Sequence, residues 1–531
     1  MSSQSLDLTA APYSSRRSHW NNQLERHGFA IGDRAAVRFE GRTTTWRELR
    51  DRVRALADAM ARRGVGFGDR VAVLMSNRPE FLETVLAANR LGAIAVPVNF
   101  RLTGPEIAYV LEDSGSSLLF VDEESVPAAR DAATHLPRDI PAFVVGAGSA
   151  WDAASRFEDL VTEAGEQHEP VDVPEGAPAL IMYTSGTTGR PKGAVLSHQN
   201  LGAQSLTIVR AYQLTGDDEI NLVASPLFHI GAIGSVAPVI LIGGTLVILP
   251  SGSFDAQHVL GLLASERVTS VFLVPTQWQA LCDAPNVRDF DLSHLRVTSW
   301  GAAPSSDSLL RRMAEEFPDA LNVAVFGQTE MSPVTCVLAG KDALRKLGSV
   351  GKPVATTSVR VVDGDMVDVA PGQIGEIVYQ GPSLMEGYWR NPEATAAAFH
   401  GGWFHSGDLV RVDEDGFIYV VDRAKDMIIS GGENIYCAEV ENALAAHPDI
   451  AEVSIIGRAH PKWGETPVAV VSLRDPAASL DIADLRAWAR DRLAAYKLPT
   501  ALELVQALPR NASGKVVKGS LREQYAQGAV E

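Results

Sequence analysis

The sequence predicts an α/β protein whose long N-terminal part is built around parallel sheets. Short apolar runs of strand length alternate with segments in which apolar residues recur at helical spacing. Such alternation indicates βαβ units with helices covering a sheet. The chain has 531 residues, more than one hydrophobic core usually supports, so we expect several subdomains.

The first hundred residues illustrate this alternation. Residues 43–46 end a predicted strand, and Thr45 is placed to be the N-cap of the helix that follows. Residues 71–75 and 93–98 are further predicted strands, and they flank a predicted helix over residues 81–90. This region carries no recognisable chemistry, and we interpret it as scaffold.

Several later strands are predicted to end in polar or glycine-rich loops. A strand within residues 221–231 is predicted to end at His229, and a strand within 297–304 runs into a tight turn at Gly301. The strand over residues 323–327 ends in a Phe-Gly-Gln-Thr-Glu sequence. Because the carboxyl ends of parallel strands share one edge of a sheet, we expect a ligand site there.

The pattern changes from about residue 358. Short alternating strands separated by Asp-Gly turns predict an antiparallel β-rich subdomain. After Asp422, an α+β pattern of about a hundred residues predicts a compact independent domain. Its predicted helices and strands cover residues 439–446, 451–456, 468–473 and 482–493. We therefore predict two domains, residues 1–422 and 423–531.

Composition limits the classes of partner. The net charge of −18 argues against nucleic acid. The three cysteines, Cys282, Cys336 and Cys437, have no metal-ligand spacing and indicate a cytoplasmic protein with reduced thiols. We expect no secretory signal and no transmembrane segment, which leaves peripheral contact as the only form of membrane association.

A glycine-rich loop within residues 179–200 is the strongest local signal. Its glycines allow backbone N–H groups to turn inward, its hydroxyls add donors, and Lys192 adds a positive charge. These features are typical of a phosphate-binding loop, although the spacing differs from the Walker type. Taken alone, the loop is equally compatible with a hairpin tip that binds nothing.

Five motifs, in this order, resemble those of the adenylate-forming superfamily, which includes acyl-CoA synthetases, peptide-synthetase adenylation domains and luciferases. The matching segments are residues 183–193, 326–330, 405–409, 422–436 and 509–515. The resemblance spans nearly the whole chain. It implies a large N-terminal domain, with two βαβ-type sheet subdomains and a β-rich subdomain, followed by a small mobile α+β domain.

The resemblance also implies where ATP and Mg²⁺ bind. The expected phosphate ligands are Thr184, Ser185, Gly186, Thr187, Thr188, Gly189 and Lys192. Glu330 and Thr184 are expected to hold Mg²⁺, which favours hard oxygen ligands. The expected nucleoside contacts are Gly301, Ala302, Ala303 and Phe326 for adenine, and Asp408 and Arg423 for ribose.

The resemblance further implies which residues act in the formation of acyl-AMP and in the transfer of the acyl group to coenzyme A. Lys515, Thr329 and His229 are the expected catalytic group, in which Thr329 donates to the α-phosphate and the Lys515 charge stabilises the transition state. Lys425 matches the hinge about which the small domain rotates. The expected coenzyme A contacts are Gly431, Gly432 and Trp463.

The resemblance implies an ATP-dependent acid–CoA ligase that forms acyl-AMP and then acyl-CoA. The pattern is most similar to bacterial fatty-acyl-CoA synthetases of the actinobacterial type. The predicted wall of the acid pocket is mostly apolar, which favours a fatty acid, and it includes His229, Val274, Thr276, Trp278, Trp300, Gly327 and Met331. An aryl or steroid-side-chain acid is the alternative, followed by an acyl-AMP ligase that loads a carrier protein and by a non-catalytic nucleotide-binding protein. Trp300, where a small residue is usual, either shortens the acyl tunnel or packs outward.

Overall fold

The computed structural model describes residues 16–146, 151, 155–163, 165, 168, 171–184, 190–216, 218–303, 305–431, 433–510 and 516–525. The chain divides into two compact units. The first lies within Met1–Ser358 and Tyr379–Phe404, and the second within Val359–Val378 and His405–Glu531. The division between residues 422 and 423 stays a prediction.

The secondary structure of the described residues alternates between strands and helices over most of the chain. The strands are β1 Ala35–Phe39, β2 Arg42–Thr45, β3 Arg70–Leu74, β4 Ile94–Pro97, β5 Leu118–Asp122, β6 Ala142–Val145, β7 Ser155–Arg156, β8 Pro178–Thr184, β9 Lys192–Ser197, β10 Ile220–Val223, β11 Thr245–Ile248, β12 Ser270–Leu273, β13 Val297–Gly301, β14 Leu321–Gly327, β15 Val334–Ala339, β16 Lys352–Pro353, β17 Ser358–Val362, β18 Ile374–Gln380, β19 Gly387–Tyr388, β20 Phe404–Val412, β21 Ile418–Arg423, β22 Ile428–Ser430, β23 Glu433–Ile435, β24 Ile450–His460, β25 Gly464–Leu473 and β26 Ala501–Leu504. The α-helices are α1 Trp20–Ala30, α2 Trp46–Arg62, α3 Pro79–Arg90, α4 Gly104–Ser114, α5 Val126–Thr134, α6 Phe157–Thr162, α7 His198–Ala211, α8 Ile230–Ile242, α9 Ala256–Ser265, α10 Pro275–Asp283, α11 Asp307–Glu316, α12 Asp342–Arg345, α13 Pro392–Ala398, α14 Cys437–Ala445, α15 Ile482–Ala489 and α16 Lys518–Tyr525.

The first unit contains two mainly parallel sheets. Within the described residues, one has nine strands in the order β16-β15-β14-β13-β12-β10-β11-β1-β2. The other has eight strands in the order β19-β9-β8-β4-β3-β5-β6-β7. Interior pairs such as β12–β13 and β3–β5 are parallel, whereas β14–β15 and β8–β9 are antiparallel. The predicted α/β class with two βαβ-type subdomains is confirmed.

Local sequence explains where these elements begin and which parts are buried. Thr45 caps α2 as predicted: its side chain accepts a hydrogen bond from the Glu48 N–H, and the Glu48 carboxylate accepts one from the Thr45 N–H at 2.8 Å. This capping box satisfies two donors that the first helical turn leaves free. The apolar run of β3 is buried on both faces, as expected for an interior parallel strand.

The prediction of a strand that ends at His229 is wrong. β10 ends at Val223, and His229 is instead the N-cap of α8. Pro226 lies between them, and its carbonyl accepts a hydrogen bond from the His229 N–H at 2.9 Å, which closes a turn. Proline has no N–H with which to continue the ladder of an interior strand, and an apolar run alone does not distinguish a buried strand from a buried helix.

The second unit combines the β-rich and α+β parts that the sequence predicts. A four-stranded sheet in the order β17-β18-β20-β21 lies mainly in this unit, and its β20–β21 pair is antiparallel. A five-stranded sheet follows, in which β23-β22-β25-β24 are joined by β26 on the side of β25. Side chains from α14 and α15 pack with the strands in one buried cluster.

The carboxyl ends of neighbouring parallel strands form the edge that positions the first unit's candidate site. β12, β13 and β14 run parallel, so the loops after β13 and β14 emerge on the same side of the nine-stranded sheet. Gly301 ends β13, and Thr329–Met331 form a short 3₁₀ turn after β14. This confirms the predicted meeting of these loops. In the described part of the chain, the helices are all too short or too polar to cross a lipid bilayer.

Candidate active site

The predicted phosphate loop connects the two strands of the β8–β9 hairpin. Thr184 and Lys192 are register partners where the loop begins and ends, and Thr184 Oγ1 donates to the Lys192 carbonyl at 3.4 Å. The remaining predicted phosphate ligands lie outside the described residues, and they are Ser185, Gly186, Thr187, Thr188 and Gly189. The structure therefore fixes both ends of the loop.

Side chains from α4 hold both strands of this hairpin. The Tyr183 phenol donates to Asp113 Oδ2 at 2.5 Å, and the Tyr109 phenol donates to the Pro191 carbonyl at 3.1 Å. Burial, followed by the Asp113 carboxylate, raises the pKa of Tyr183, so the phenol keeps its proton and remains a donor. The chain is thus held in place on both sides of the loop.

Lys192 and Glu330 are linked through a residue that sequence reasoning missed. Lys192 Nζ lies 4.8 Å from the centroid of the Tyr388 ring, which suits a cation–π contact. The Tyr388 hydroxyl donates to Glu330 Oε1 at 2.9 Å. Tyr388 follows Glu330 by 58 residues, so no local spacing connects the two in the sequence.

The edge after β13 offers a surface with little side-chain bulk. A Cβ atom at Gly301 would lie 2.3 Å from the Val325 carbonyl oxygen on the neighbouring strand, so only glycine fits. Ala302 has a φ of +64°, and both Ala302 and Ala303 are exposed. Phe326 lies on β14 beside this turn, because Gly301 pairs with Val325. The four predicted adenine contacts are therefore brought together.

The residues at the predicted metal position fit Mg²⁺. Glu330 is 8% exposed, and Tyr388 engages only one of its carboxylate oxygens. Across the described ranges, no group of three or more His, Cys, Asp or Glu side chains is arranged to hold a metal ion. Mg²⁺ at nucleotide sites needs only one or two carboxylates, because phosphate oxygens and water complete its octahedron. Glu330 supplies that type of ligand, and Thr329 begins the same turn.

One ring nitrogen of His229 is engaged by the backbone of α8. The Gly231 N–H donates to His229 Nδ1 at 3.0 Å, so a neutral ring carries its proton on Nε2. Aromatic side chains lie next to Phe228 and next to Gly231, on either side of His229 in the chain. The Phe228 and Phe100 rings meet edge to face at 5.3 Å, and Phe272 lies 3.7 Å from the point where a Gly231 Cβ would stand.

The two tryptophans of the predicted pocket wall are both buried. Trp300 is 8% exposed, and its Nε1 donates to Asn322 Oδ1 at 3.0 Å, which fixes the indole beside Gly301. Trp278 is fully buried, and its Nε1 donates to the Ser299 carbonyl at 2.9 Å. The Trp300 indole therefore does not pack out into solvent, and the Trp278 side chain joins α10 to β13.

In the second unit, the two predicted ribose residues form an ion pair. Asp408 and Arg423 are register partners in β20 and β21, and Arg423 Nε lies 2.7 Å from Asp408 Oδ1. Asp408 is 3% exposed, and its N–H donates to Ser406 Oγ at 2.9 Å. Sequence reasoning missed Glu376, which accepts from the Gly407 N–H at 2.8 Å and so fixes the loop.

The predicted coenzyme A residues form a small surface of their own. The Gly431 N–H donates to the Trp463 carbonyl at 2.7 Å, and Gly431 has a φ of +61°. A Cβ at Gly431 would lie 2.7 Å from Trp463 Cε3, so glycine makes room for the indole. Trp463 is 46% exposed, and Lys462 Nζ lies 4.5 Å from its ring. Gly432 lies outside the described residues.

The catalytic lysine predicted at residue 515 also lies outside the described residues. The helix that follows it, α16, is tied to the segment after Lys425 by an ion pair of 2.7 Å between Arg522 and Asp426. A second ion pair of 2.7 Å joins Lys518 on α16 to Glu441 on α14. The hinge role of Lys425 stays a prediction.

Comparison with known proteins agrees with this arrangement. The AMP-binding enzyme family model matches residues 24–389, and that of the AMP-binding enzyme C-terminal domain matches residues 439–515. A feruloyl-CoA synthase of Amycolatopsis is 44% identical over 494 residues, 92% of this chain and 96% of the relative. A long-chain-fatty-acid–CoA ligase of Mycobacterium tuberculosis is 35% identical over 486 residues, 91% of this chain and 93% of the relative. An o-succinylbenzoate coenzyme A synthetase from Bacillus subtilis, solved with ATP and magnesium ion, has a TM-score of 0.84 and 31% identity, and covers 94% of this chain and 99% of that one.

The fold and these relatives define an adenylate-forming enzyme. The chain belongs to the AMP-binding enzyme family, whose two models together match most of its length. It is an AMP-forming acid–CoA ligase, and its cofactors are ATP, Mg²⁺ and coenzyme A.

Proposed function

We propose that this ligase joins coenzyme A to an aromatic acid, and that acids of the hydroxycinnamate type are its preferred class. The observation that carries the proposal is the 44% identity to a feruloyl-CoA synthase, compared with 35% to a long-chain-fatty-acid ligase. The rings of Phe228 and Phe272, which lie at or beside residues 228–231, support it, because aromatic side chains favour edge and stacked contacts with a planar substrate.

In the first half-reaction a carboxylate oxygen of the acid attacks the α-phosphorus of ATP. The bond from that phosphorus to the bridging oxygen of the β-phosphate breaks, and pyrophosphate leaves. Thr184 and Lys192 hold the departing phosphates, Thr329 donates to the α-phosphate, and the Lys515 ammonium stabilises the charge that develops during the displacement. Glu330 and Thr184 would hold Mg²⁺, which would supply Lewis-acid stabilisation of the same phosphates.

The nucleoside is recognised through small residues and a paired carboxylate. Gly301, Ala302 and Ala303 leave room for adenine, with Phe326 against its face. Asp408 accepts hydrogen bonds from the ribose hydroxyls, and Arg423 holds that carboxylate in place.

In the second half-reaction the thiol of coenzyme A, as thiolate, attacks the carbonyl carbon of the acyl-AMP. The bond from that carbon to the phosphate oxygen breaks, and AMP leaves. Gly431 and Gly432 make space for the pantetheine chain, and Trp463 stacks on the adenine of coenzyme A. His229, whose Nδ1 accepts the Gly231 N–H, helps to orient the acid.

A fatty acid is the second candidate, favoured by the long-chain-fatty-acid relative and by the apolar pocket wall. The two classes predict different dependence on chain length. Each methylene of a fatty acid that enters an apolar tunnel contributes about 0.8 kcal/mol, whereas a planar acid gains mainly from ring contacts.

A panel of acids separates the candidates. The panel contains ferulate, cinnamate, indole-3-acetate, dodecanoate and a steroid side-chain acid, each assayed for pyrophosphate release and thioester formation. We expect kcat/KM for ferulate to exceed that for dodecanoate by at least about tenfold, a transition-state difference of about 1.4 kcal/mol. The reverse order would overturn the aromatic proposal in favour of the fatty acid. Acyl-AMP that accumulates and does not react with coenzyme A would instead indicate carrier loading.

A further inference from the structure

The Glu330 carboxylate is held on one side by a neutral donor. Tyr388 donates its hydroxyl hydrogen to Oε1 at 2.9 Å. Among the residues that the structure describes, Glu330 has no cation within ion-pair distance. A single neutral hydrogen bond fixes the orientation of a carboxylate while leaving its negative charge in place.

The backbone around Tyr388 is fixed on both sides. Tyr388 pairs with Ala194 in β9, and the next N–H, that of Trp389, donates to the Gly193 carbonyl at 2.7 Å. On its other side, the Tyr388 N–H donates to Thr395 Oγ1 at 2.9 Å. The phenol therefore reaches Glu330 from a position that the sheet determines.

The same ring lies next to the phosphate-loop lysine. Lys192 Nζ is 4.8 Å from the ring centroid, and Lys192 is the first residue of β9. One side chain thus touches a cation at the end of the predicted phosphate loop through its ring face. It also touches the predicted metal ligand through its hydroxyl.

We propose that Tyr388 is a positioning residue that aligns Glu330 for Mg²⁺ and Lys192 for the phosphates of ATP. The hydroxyl holds Oε1 so that the remaining lone pairs of Glu330 are available to the metal, and the ring limits where the Lys192 ammonium can go. This inference rests on the proposed role of Glu330 as a metal ligand. It assigns a function to a residue outside all five sequence motifs.

The test separates the hydroxyl from the ring. Tyr388→Phe removes the hydrogen bond to Glu330 and keeps the ring, whereas Tyr388→Leu removes both. Calorimetry without acid or coenzyme A measures the affinity for ATP in Mg²⁺ and in EDTA. We expect Tyr388→Phe to reduce the gain in affinity that Mg²⁺ provides by about tenfold and to leave the affinity in EDTA unchanged. We expect Tyr388→Leu to weaken binding in EDTA as well.

Two further variants test whether the effect comes from the hydrogen bond between Tyr388 and Glu330. Tyr212→Phe is the control, because it likewise removes one hydrogen bond of a tyrosine hydroxyl, the 2.5 Å contact with Ser299 Oγ. This control should keep the full Mg²⁺ gain. In a Glu330→Gln background, Tyr388→Phe should cause no further loss, because both changes act on one interaction.

The outcomes distinguish this inference from the proposed function. A Tyr388→Phe protein with an undiminished Mg²⁺ gain overturns the positioning role, provided that Glu330→Gln loses that gain. If Glu330→Gln itself keeps the gain, the proposed metal ligand is wrong. Should Tyr388→Leu fail to fold, the Tyr388→Phe comparison still decides the question, and its melting temperature should match that of the Tyr212→Phe control.

Discussion

Two buried carboxylates in the predicted sequence motifs are compensated in different ways. Glu330 in the first unit and Asp408 in the second are both buried, at 8% and 3% exposed. Asp408 is paired with the Arg423 guanidinium at 2.7 Å. Glu330 instead receives a hydrogen bond from the neutral Tyr388 phenol. The two carboxylates are therefore suited to bind different partners.

The difference follows from the cost of burying charge. A buried carboxylate without a partner is unfavourable, and a cation that pairs with it offsets that cost. Asp408 is already compensated, so it is suited to accept hydrogen bonds from neutral hydroxyls. Glu330 keeps its charge available, which suits a site completed by a metal ion. Under the proposed function, Glu330 offers charge to a cation, whereas Asp408 offers hydrogen-bond acceptors.

The largest expected effect comes from Lys515, because its proposed role is to stabilise the charge of the transition state. Neither Glu330 nor Asp408 has that role. We expect Lys515→Ala to lower the rate of adenylation by about 10²- to 10³-fold, the usual loss for one preorganised electrostatic group. Thioester formation from supplied acyl-AMP should remain largely intact, and it serves as the internal control. Stopped-flow pyrophosphate release and thioester assays measure the two steps. Equal loss in both half-reactions would contradict the assignment.

The comparison itself is tested by exchanging each acid for its amide. Glu330→Gln should raise the Mg²⁺ concentration needed for half-maximal adenylation by about tenfold, since it removes the charge offered to the metal. Asp408→Asn should weaken ATP binding by about tenfold, because one acceptor oxygen becomes a donor. This loss should be the same with and without Mg²⁺. The measurement is a titration of activity with Mg²⁺. If both variants depend on Mg²⁺ in the same way, Glu330 and Asp408 do not differ in their relation to the metal.

The smallest effect on catalysis is expected from a buried titratable group outside the predicted site, which acts on folding stability instead. His198 is 2% exposed, its ring lies 4.6 Å from that of His19, and neither of its ring nitrogens has a hydrogen-bond partner among the described residues. Burial lowers the pKa of His198 to about 3 from an ordinary value of 6.5. Below pH 6.5 the unfolded chain binds the proton that the folded protein excludes. Stability should therefore fall as the pH falls from 6.5 toward 3, by up to about 1.4 kcal/mol per pH unit for this group.

His198→Phe keeps a ring in place and removes the titrating nitrogens. Melting temperatures between pH 7 and pH 4 should decline less steeply for this variant than for the natural chain. Parallel curves for the two proteins would show that protonation of His198 does not contribute to acid destabilisation.

The sequence predicts the elements of this fold better than it predicts contacts between distant residues. Thr45, the strands around residues 71–75 and 93–98, and the convergence of Gly301 with Phe326 all depend on local patterns or on a short motif, and the structure confirms them. The predicted strand end at His229 is wrong, because an apolar run has the same appearance in a buried strand and in a buried helix.

Tyr388 and Glu376 show what local patterns cannot provide. Tyr388 donates a hydrogen bond to Glu330, 58 positions away, and Glu376 accepts one from Gly407, 31 positions away. Such contacts depend on the tertiary arrangement of strands, and neither side chain stands out by type or spacing in the sequence. The resemblance to a family identified Asp408 and Arg423 separately, whereas their pairing in adjacent strands came only from the fold.

The short strand β19 also protects the end of its sheet. It pairs with β9 at one margin of the eight-stranded sheet, where β9 would otherwise be the outermost strand. An uncovered margin offers unpaired N–H and C=O groups to which another chain can add a strand. A chain cut after α12 and before β19 would expose β9 in this way and would be prone to aggregate. The strand β19, which places Tyr388 beside Glu330, thus also helps to prevent association with neighbouring molecules.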